Sequence, residues 1–196
     1  MLFSVLKMDA GPILRQIKYP LGGQEKSPEL LDTLFQLGAK ELIAALPSVF
    51  DGTATTFQQD DSLATAAPKL SSNDSYLDLS TLSATECHNR CRAYAGWPGT
   101  WTLFRSGSSE EPVRVKIITT CVIDGGRRSP NPENKVALIK HKDLDVLKIE
   151  CGDGSVLGVS EVQPAGKKEM SAKAYVNGLR GTDLFWTLPS NKLRDQ

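Results

Sequence analysis

Hydrophobic residues follow two different periodicities along this chain. Between residues 28 and 50, seven leucine or isoleucine residues recur at the three- and four-residue spacing of a helix. Ser27 and Pro28 suit the start of this helix, where the serine hydroxyl can cap free amides and proline fits the first turn. Pro47 is expected to kink or end the helix, with Asp51 and Gly52 as its stop. The pattern therefore predicts one long amphipathic helix in the first third of the chain.

After residue 76 the apolar residues instead form short runs between turns. Ser83 and Glu86 have the spacing of a capping box, which predicts a short helix to about Tyr94. The runs that follow are β-branched or aliphatic and are separated by glycine, proline or charged residues, as is typical of strands. Five short strands with one helix favour a small OB-like open β-barrel. The predicted strands are Trp101–Arg105, Val113–Ile123, Lys135–His141, Val146–Cys151 and Val156–Val162, with a tight hairpin turn at Cys151–Gly154.

The N-terminal part has a different organisation. Leu2–Lys7 reads as a short buried strand, and Ile13–Tyr19 as a second extended segment. Residues 52–76 are rich in Thr, Ser, Asp, Gln and Ala and contain almost no large apolar residue. Such a composition is typical of a linker, so we predict a domain boundary here.

The composition is informative about function only when the two parts of the chain are considered separately. With 40% hydrophobic and 23% charged residues, the 196-residue chain is ordinary for a globular protein. Its net charge of zero argues against a nucleic-acid partner, since a phosphate-binding surface usually leaves a basic excess. Residues 1–79, however, carry 6 basic and 10 acidic groups, and residues 80–196 carry 17 and 13. This asymmetry indicates two parts with different partners.

The cysteines and the hydropathy favour no metal and no membrane. Four cysteines are too few for a disulfide framework in so long a chain, which favours a reducing compartment. Cys87 and Cys91 have a spacing that lies within a helix and lack a second ligand pair, so buried free thiols are favoured over a zinc site. The chain has no run of 18 apolar residues, and neither a signal peptide nor a transit peptide is visible at its start.

Two places could carry chemistry. Asp9 follows the first predicted strand, where α/β enzymes expose catalytic groups, although an aspartate before glycine often only shapes a turn. Lys167 and Lys168 project from a Gly/Pro turn, which could be a phosphate contact or an ordinary solvated turn. Further basic residues in the second half would suit RNA-backbone binding if they shared a face of the barrel. They are Arg90, Arg92, Arg114, Lys116, Arg127 and Arg128.

Five segments in a fixed order carry a family resemblance. They are Met8–Leu14, the helix 28–50, Ala64–Leu70, Arg92–Trp101 and Gln163–Ser171. Together they resemble methionyl-tRNA formyltransferase over nearly the whole chain. The Asp-x-Gly-Pro element at Asp9 is shared by folate-dependent formyltransferases in general. The segments Arg92–Trp101 and Gln163–Ser171 point to the tRNA enzyme, which ranks formyl-folate dehydrogenases and sugar formyltransferases lower.

The resemblance implies a catalytic domain that binds 10-formyltetrahydrofolate, a linker, and an OB-like barrel that binds initiator methionyl-tRNA. Such an enzyme formylates the methionyl amino group during translation initiation. The amine attacks the formyl carbon, and an Asn, a His and an Asp of the family stabilise the oxyanion and move protons. Asp9 matches the Asp, whose expected role is to orient the histidine. The expected tRNA-binding residues are Arg90, Arg92, Arg114, Lys116, Lys167 and Lys168.

The chain also departs from the family. The catalytic Asn and His lie upstream of the Asp-x-Gly-Pro element, where this chain has only eight residues, and His88 and His141 lie in the barrel half. We therefore expect an α+β chain with a catalytic-domain remnant at 1–51, a linker at 52–76 and the barrel at 77–196. Most of the folate pocket would be absent, and the remnant would be the less stable part. A non-catalytic tRNA-binding module is the alternative function. We expect a monomer in mitochondria or plastids.

Overall fold

The computed structural model describes residues 5–6, 9–107, 111–124 and 134–189. The chain divides into two compact units, Met1–Lys69 and Leu70–Gln196, here called the N-terminal unit and the barrel unit. All but two residues of the predicted strand Leu2–Lys7, and both Arg127 and Arg128, lie outside the described residues. The division into catalytic remnant, linker and tRNA-binding domain stays a prediction.

One helix dominates the N-terminal unit. Helix α1 spans Ser27–Phe50, so it continues through Pro47 and stops at Asp51, where the sequence predicted its end. A proline this close to the C-terminal end removes few backbone hydrogen bonds, and the amide of Asp51 still donates to the carbonyl of Pro47 at 3.0 Å. The residue before the helix is Lys26, without a side-chain cap, because Ser27 is already helical.

The rest of the N-terminal unit is irregular. The segment predicted to extend from Ile13 to Tyr19 forms a single antiparallel bridge, between Ile13 and Phe57. Phe57 and Gln59 belong to the predicted linker, and the side-chain amide of Gln59 donates to the backbone carbonyls of Asp9 and Gly11 at 2.7 and 2.8 Å. The first part of residues 52–76 therefore packs with the N-terminal unit.

The barrel unit is built from seven antiparallel strands, six of which form a closed ring in the order β2-β1-β7-β3-β4-β5, completed by a β2–β5 pairing. The prediction of a β-barrel with a short helix is confirmed, with closure and two additional strands that the sequence did not predict. The strands are β1 (Thr100–Ser106), β2 (Val113–Ile123), β3 (Lys135–His141), β4 (Leu144–Glu150), β5 (Val156–Pro164), β6 (Met170–Ser171) and β7 (Leu184–Thr187).

Strand β2 closes the ring because it pairs with two neighbouring strands. Its first half pairs with β1, and most of its length pairs with β5. The register with β5 shifts at Ile117 and Thr119, which is the signature of a bulge. Bulges bend and twist a strand, and closed barrels need such bends.

The described residues of the barrel unit also form two α-helices, α2 (Ala84–Ala93) and α3 (Ala172–Gly178). The capping box of α2 is present, with Ser83 and Glu86 bonded to each other's backbone amides. Cys87 and Cys91 lie on its buried face as predicted, together with His88, which was not expected there. His88 Nδ1 lies 2.9 Å from the Thr120 hydroxyl of β2, so the imidazole has a buried polar partner. The helix thus packs against the barrel through thiols and one histidine.

Candidate functional site

Two cations of the barrel unit are held side by side on the outer face of β2. Along the start of this strand exposed and buried residues alternate. Arg114 and Lys116 are exposed, and Val115 and Ile117, which follow each of them, are buried. This follows from the alternation of side chains along a strand. In the β2–β5 ladder, Lys116 is opposite Gln163. The end of β5 therefore brings the Gln163–Ser171 segment next to Arg114 and Lys116.

A tight turn adds a third cation. The amide of Lys167 donates to the carbonyl of Pro164 at 3.0 Å, and Gly166 has a φ of 72°. A left-handed third residue is what a type II turn requires, and glycine adopts it without strain. The side-chain amide of Gln163 donates to the carbonyl of Lys167 at 3.1 Å and ties the turn down.

The β2 cations and this turn form a groove of about 340 Å³, here called the basic groove. It is lined by three cations and by no carboxylate among the described residues. Its lining residues are Arg114, Lys116, Gln163, Pro164, Ala165, Gly166 and Lys167. Such a groove attracts anions, and arginine and lysine are the residues that bind phosphate groups.

Arg114 is held over an aromatic ring. Its guanidinium carbon lies 4.1 Å from the ring centroid of Trp101, which is on the neighbouring strand β1. Trp101 in turn contacts Tyr76, with 4.8 Å between ring centroids. Partial desolvation lowers the pKa of Arg114, but an arginine stays protonated at neutral pH. The groove therefore keeps a full positive charge at this position.

The structure brings together only part of the predicted basic set. Arg114, Lys116 and Lys167 line the basic groove, and Lys168 is exposed beside it without lining it. Arg90 and Arg92 lie in the last turn of α2, outside that lining. The roles of all six in tRNA binding stay predictions.

Both helix arginines interact within the protein. Arg92 donates to the side-chain oxygen of Asn89 at 2.8 Å. Hydrogen bonds from Ser71 lower the pKa of Asp74, and the charge of Arg90 lowers it further. Arg90 has the same secondary effect on Glu86. Both arginines therefore interact with polar or charged side chains of the barrel unit.

Asp9 lies in an exposed turn with a φ of 55°. Its carbonyl accepts the amide of Gln59, so the backbone of this turn is anchored to the segment after α1. Aspartate tolerates the left-handed conformation better than most residues, which accounts for its presence in the turn. Its catalytic role stays a prediction.

Trp101 and Gln163 support the basic groove, and neither was predicted as a site residue. Gln163 holds the turn, and Trp101 holds Arg114. Trp101 could be recognised as a residue of the groove from its position in β1, where it is directly opposite Lys116 in the ladder with β2. Finding it from the sequence requires the register of two strands that are joined by a loop, which periodicity alone does not give.

The thiols are part of the packed interior. Cys87, Cys91 and Cys151 are buried, Cys121 is half-buried, and all four are free, as predicted. A hydrogen bond with Cys151 and burial raise the pKa of Cys87. In the part of the chain that the structure describes, no three potential metal-ligating side chains come together. None of the helices described there is long and apolar enough to cross a membrane.

Comparison with known protein families shows which family the chain belongs to. Residues 69–180 match the sequence profile described as "Formyl transferase, C-terminal domain", which covers the barrel from its first segment through α3. The chain belongs to the formyltransferase C-terminal domain family. The predicted resemblance to the C-terminal part of methionyl-tRNA formyltransferase is thereby confirmed, since two curated proteins of that name, from two strains of Staphylococcus epidermidis, are each 30% identical to it over 179 residues.

Those alignments cover 91% of this chain and 54% of each relative, so the chain spans about half the length of the curated proteins it matches. Among solved structures, a variant of HypX from Aquifex aeolicus matches with a TM-score of 0.59 and 13% identity over 92% of this chain and 31% of that one. HypX in complex with tetrahydrofolic acid matches with a TM-score of 0.53 and 12% identity, over 92% and 30%. At this identity the likeness shows a shared fold.

The described part of the N-terminal unit has a groove of about 220 Å³ along α1. Its lining residues include Leu34, Leu37 and Gly38. Small-molecule pockets usually measure roughly 300–1,000 Å³. The cation at this groove, Arg15, is 3.0 Å from Glu41 and so is already neutralised. By its volume, this groove is therefore small for a folate.

Proposed function

We propose that this chain serves an enzyme that transfers a formyl group from 10-formyltetrahydrofolate to the amino group of initiator methionyl-tRNA in translation initiation. Within that enzyme, the barrel unit binds the tRNA. The names of the 30% identical relatives and the match to the formyltransferase C-terminal domain support this function. The family resemblance alone supports two further parts of the proposal, that the protein acts as a monomer and that it works in a mitochondrion or plastid.

The basic groove is the observation that carries the proposal. Arg114, Lys116 and Lys167 present three positive charges on one short stretch of surface, with no carboxylate among the lining residues described. Phosphate contacts by lysine and arginine dominate RNA affinity, and the release of counterions makes it depend on salt. A barrel face with such residues suits the sugar-phosphate backbone of RNA.

The chemistry of formyl transfer is assigned to this chain only at Asp9. In the proposed reaction the methionyl amine attacks the formyl carbon, and the bond between that carbon and N10 of the folate breaks. The proton that the amine loses passes through a basic group to the departing nitrogen, and tetrahydrofolate leaves. Asp9 would orient the histidine that accepts this proton, with the exposed turn giving its carboxylate access to water. The tRNA contacts of the barrel unit hold the amine for the reaction without taking part in it.

Binding of initiator methionyl-tRNA, measured against salt concentration, tests the proposal. We expect the Lys167→Ala/Lys168→Ala double variant to flatten the slope of log affinity against log salt by roughly 1–2 units, because each phosphate contact contributes nearly one unit. The single variants separate the two side chains. Because Lys167 lines the basic groove and Lys168 does not, Lys167→Ala should carry most of the change.

Lys173→Ala is the matched control, since Lys173 is on the same unit but pairs with Asp145 at 3.4 Å. This variant should keep the wild-type slope. An unchanged slope in the double variant would show that Lys167 and Lys168 do not contact phosphates and belong to an ordinary solvated turn. The absence of tRNA binding by the wild-type chain would remove the proposed function of the barrel unit altogether.

A further inference from the structure

Tyr76, Trp101 and Arg114 form a column at the wall of the basic groove. Tyr76 lies between the buried residues Ser75 and Leu77 and forms a bridge with Trp101 of β1. The centroid of the Trp101 ring lies 4.8 Å from that of Tyr76 and 4.1 Å from the guanidinium carbon of Arg114. The indole Nε1 is buried and makes no hydrogen bond. Packing between its neighbours therefore holds the Trp101 ring.

The column ends at a flat, exposed cation. A guanidinium is planar, and that of Arg114 has its central carbon over the Trp101 ring, so one side of the group is toward the ring and the other is away from it. Arg114 is exposed and lines the basic groove, so its other face is available to a group that enters the groove. Nucleobases stack on arginine planes as well as on aromatic rings, and this is how unpaired RNA bases are commonly held.

Arg105 provides a contrast on the same strand as Trp101. Its guanidinium carbon lies 4.9 Å from the ring centroid of Phe185, so the pairing is chemically similar. However, Arg105 is half-buried, donates to the carbonyl of Gly107 at 2.7 Å and is not among the residues that line the basic groove. A cation over a ring is therefore not specific by itself, and position at the groove distinguishes Arg114.

We propose that Arg114, stacked on Trp101, binds an unpaired nucleobase of the RNA whose phosphates lie on Lys116 and Lys167. This inference rests on the proposed function and names the part of the RNA that the groove recognises. Arg114 is the contact residue, and Trp101 is a positioning residue that keeps the guanidinium flat. The site accepts any base, because stacking uses the face that all bases share.

The test compares two RNAs on the full 196-residue chain. One is a hairpin with blunt ends, and the other is the same hairpin with a four-nucleotide unpaired 3′ tail that contains 2-aminopurine, a fluorescent base whose emission changes on stacking. We expect the tail to raise the affinity by about 5- to 100-fold, from one stacked base, and to change the 2-aminopurine emission. The slope of affinity against salt should be the same for both RNAs, apart from the added phosphates of the tail.

Conservative variants separate stacking from charge. Arg114→Lys keeps the charge but has no flat face, so it should lose the tail-dependent gain and keep the salt slope. Trp101→Phe keeps a ring beneath Arg114 and should retain most of the gain, whereas Trp101→Leu should lose it. Arg105→Lys is the control and should bind both RNAs as the wild type does. Because Arg114 is exposed, Arg114→Lys tests the inference even if Trp101→Leu does not fold.

Two kinds of failure are distinguishable. If the wild-type chain binds neither RNA, the proposed function fails and the inference with it. If the chain binds both RNAs equally, or if Arg114→Lys retains the gain from the tail, then the groove holds phosphates alone and the nucleobase site is wrong. In that outcome the proposed function stands.

Discussion

At the scale of single residues, Gly152 shows how closely the loops of the barrel unit approach each other. It lies in the turn between β4 and β5, and its amide donates to the carbonyl of Leu79 at 2.8 Å. A Cβ atom at this position would overlap the backbone carbonyl of Ser80. Glycine is therefore required here because there is no space for a side chain, more than because of its conformational freedom.

Gly152→Ala should lower the free energy of unfolding by about 2–4 kcal/mol, because a backbone segment has to move to relieve the overlap. Urea denaturation of the full chain measures it. Gly178→Ala is the matched control, since Gly178 is in helix α3 and an added Cβ there meets nothing within 4 Å. That variant should be neutral or gain up to about 1 kcal/mol. Equal stabilities of the two variants would contradict the close approach.

Residues of the site could be predicted from the sequence to the extent that local signals specify them. Lys167 and Lys168 stand out in a Gly/Pro turn, and the structure places Lys167 in the basic groove. Arg114 and Lys116 were predicted as candidate tRNA-binding residues, but the sequence alone did not show whether they share a face of the barrel. Their neighbour across the β2–β5 ladder, Gln163, is separated from Lys116 by 47 positions of sequence. No local pattern encodes such a pairing, which arises from barrel closure.

At the scale of elements, helix α1 is apolar on more of its circumference than it buries. Its one fully buried residue is Ala45. Several large apolar side chains are instead exposed, at 56% for Leu31, 71% for Phe35 and 69% for Ile43. A helix is stabilised mainly by packing of its apolar face. Helix α1 therefore lacks much of the stabilisation that its sequence could provide.

Hydrogen exchange checks this at the level of elements. We expect the amides of residues 9–50 to exchange faster than those of β2 and β5, whose side chains form the barrel core, because exchange reports the local free energy of opening. The barrel strands serve as the internal control in one experiment on the full chain. Exchange in α1 as slow as in β5 would show that the N-terminal unit is as stable as the barrel unit.

The elements that could be predicted are those with signals at their own ends. The capping box fixes the start of α2, and the alternation of β-branched residues gives β2 and β5 close to their observed bounds. Strand β7 was missed because four residues are too few to show a periodicity. Its pairing with both β1 and β3 is what places it in the sheet. Short strands of this kind are specified by tertiary contacts.

At the scale of the whole molecule, the two units differ in what they offer to a formyltransferase. The basic groove is in the barrel unit, while Asp9 is in the N-terminal unit. The chain has two histidines, His88 and His141, and both are in the barrel unit. His88 is buried against Thr120. The N-terminal unit therefore has no histidine to act as the base that the proposed reaction uses.

We expect the 196-residue chain, assayed with 10-formyltetrahydrofolate and methionyl-tRNA, to bind the tRNA and to produce no measurable formylmethionyl-tRNA. The assay is the acid-stable formylation of the amino group, run beside a binding measurement on the same preparation. A complete formyltransferase from Staphylococcus epidermidis is the positive control. Turnover that disappears in Asp9→Asn would contradict this expectation and would show that the chain carries its own catalysis.

The closed ring has a consequence for the three cations of the groove. The β2–β5 ladder fixes Val115 opposite Pro164 and Lys116 opposite Gln163. Strand β2, which carries Arg114 and Lys116, and the turn that carries Lys167 therefore cannot separate to relieve the mutual repulsion of these cations. Folding brings these like charges together before any RNA is present. A bound polyanion removes that repulsion without reordering the backbone. If the barrel binds RNA as proposed, it therefore presents these cations in an arrangement that is already fixed by folding.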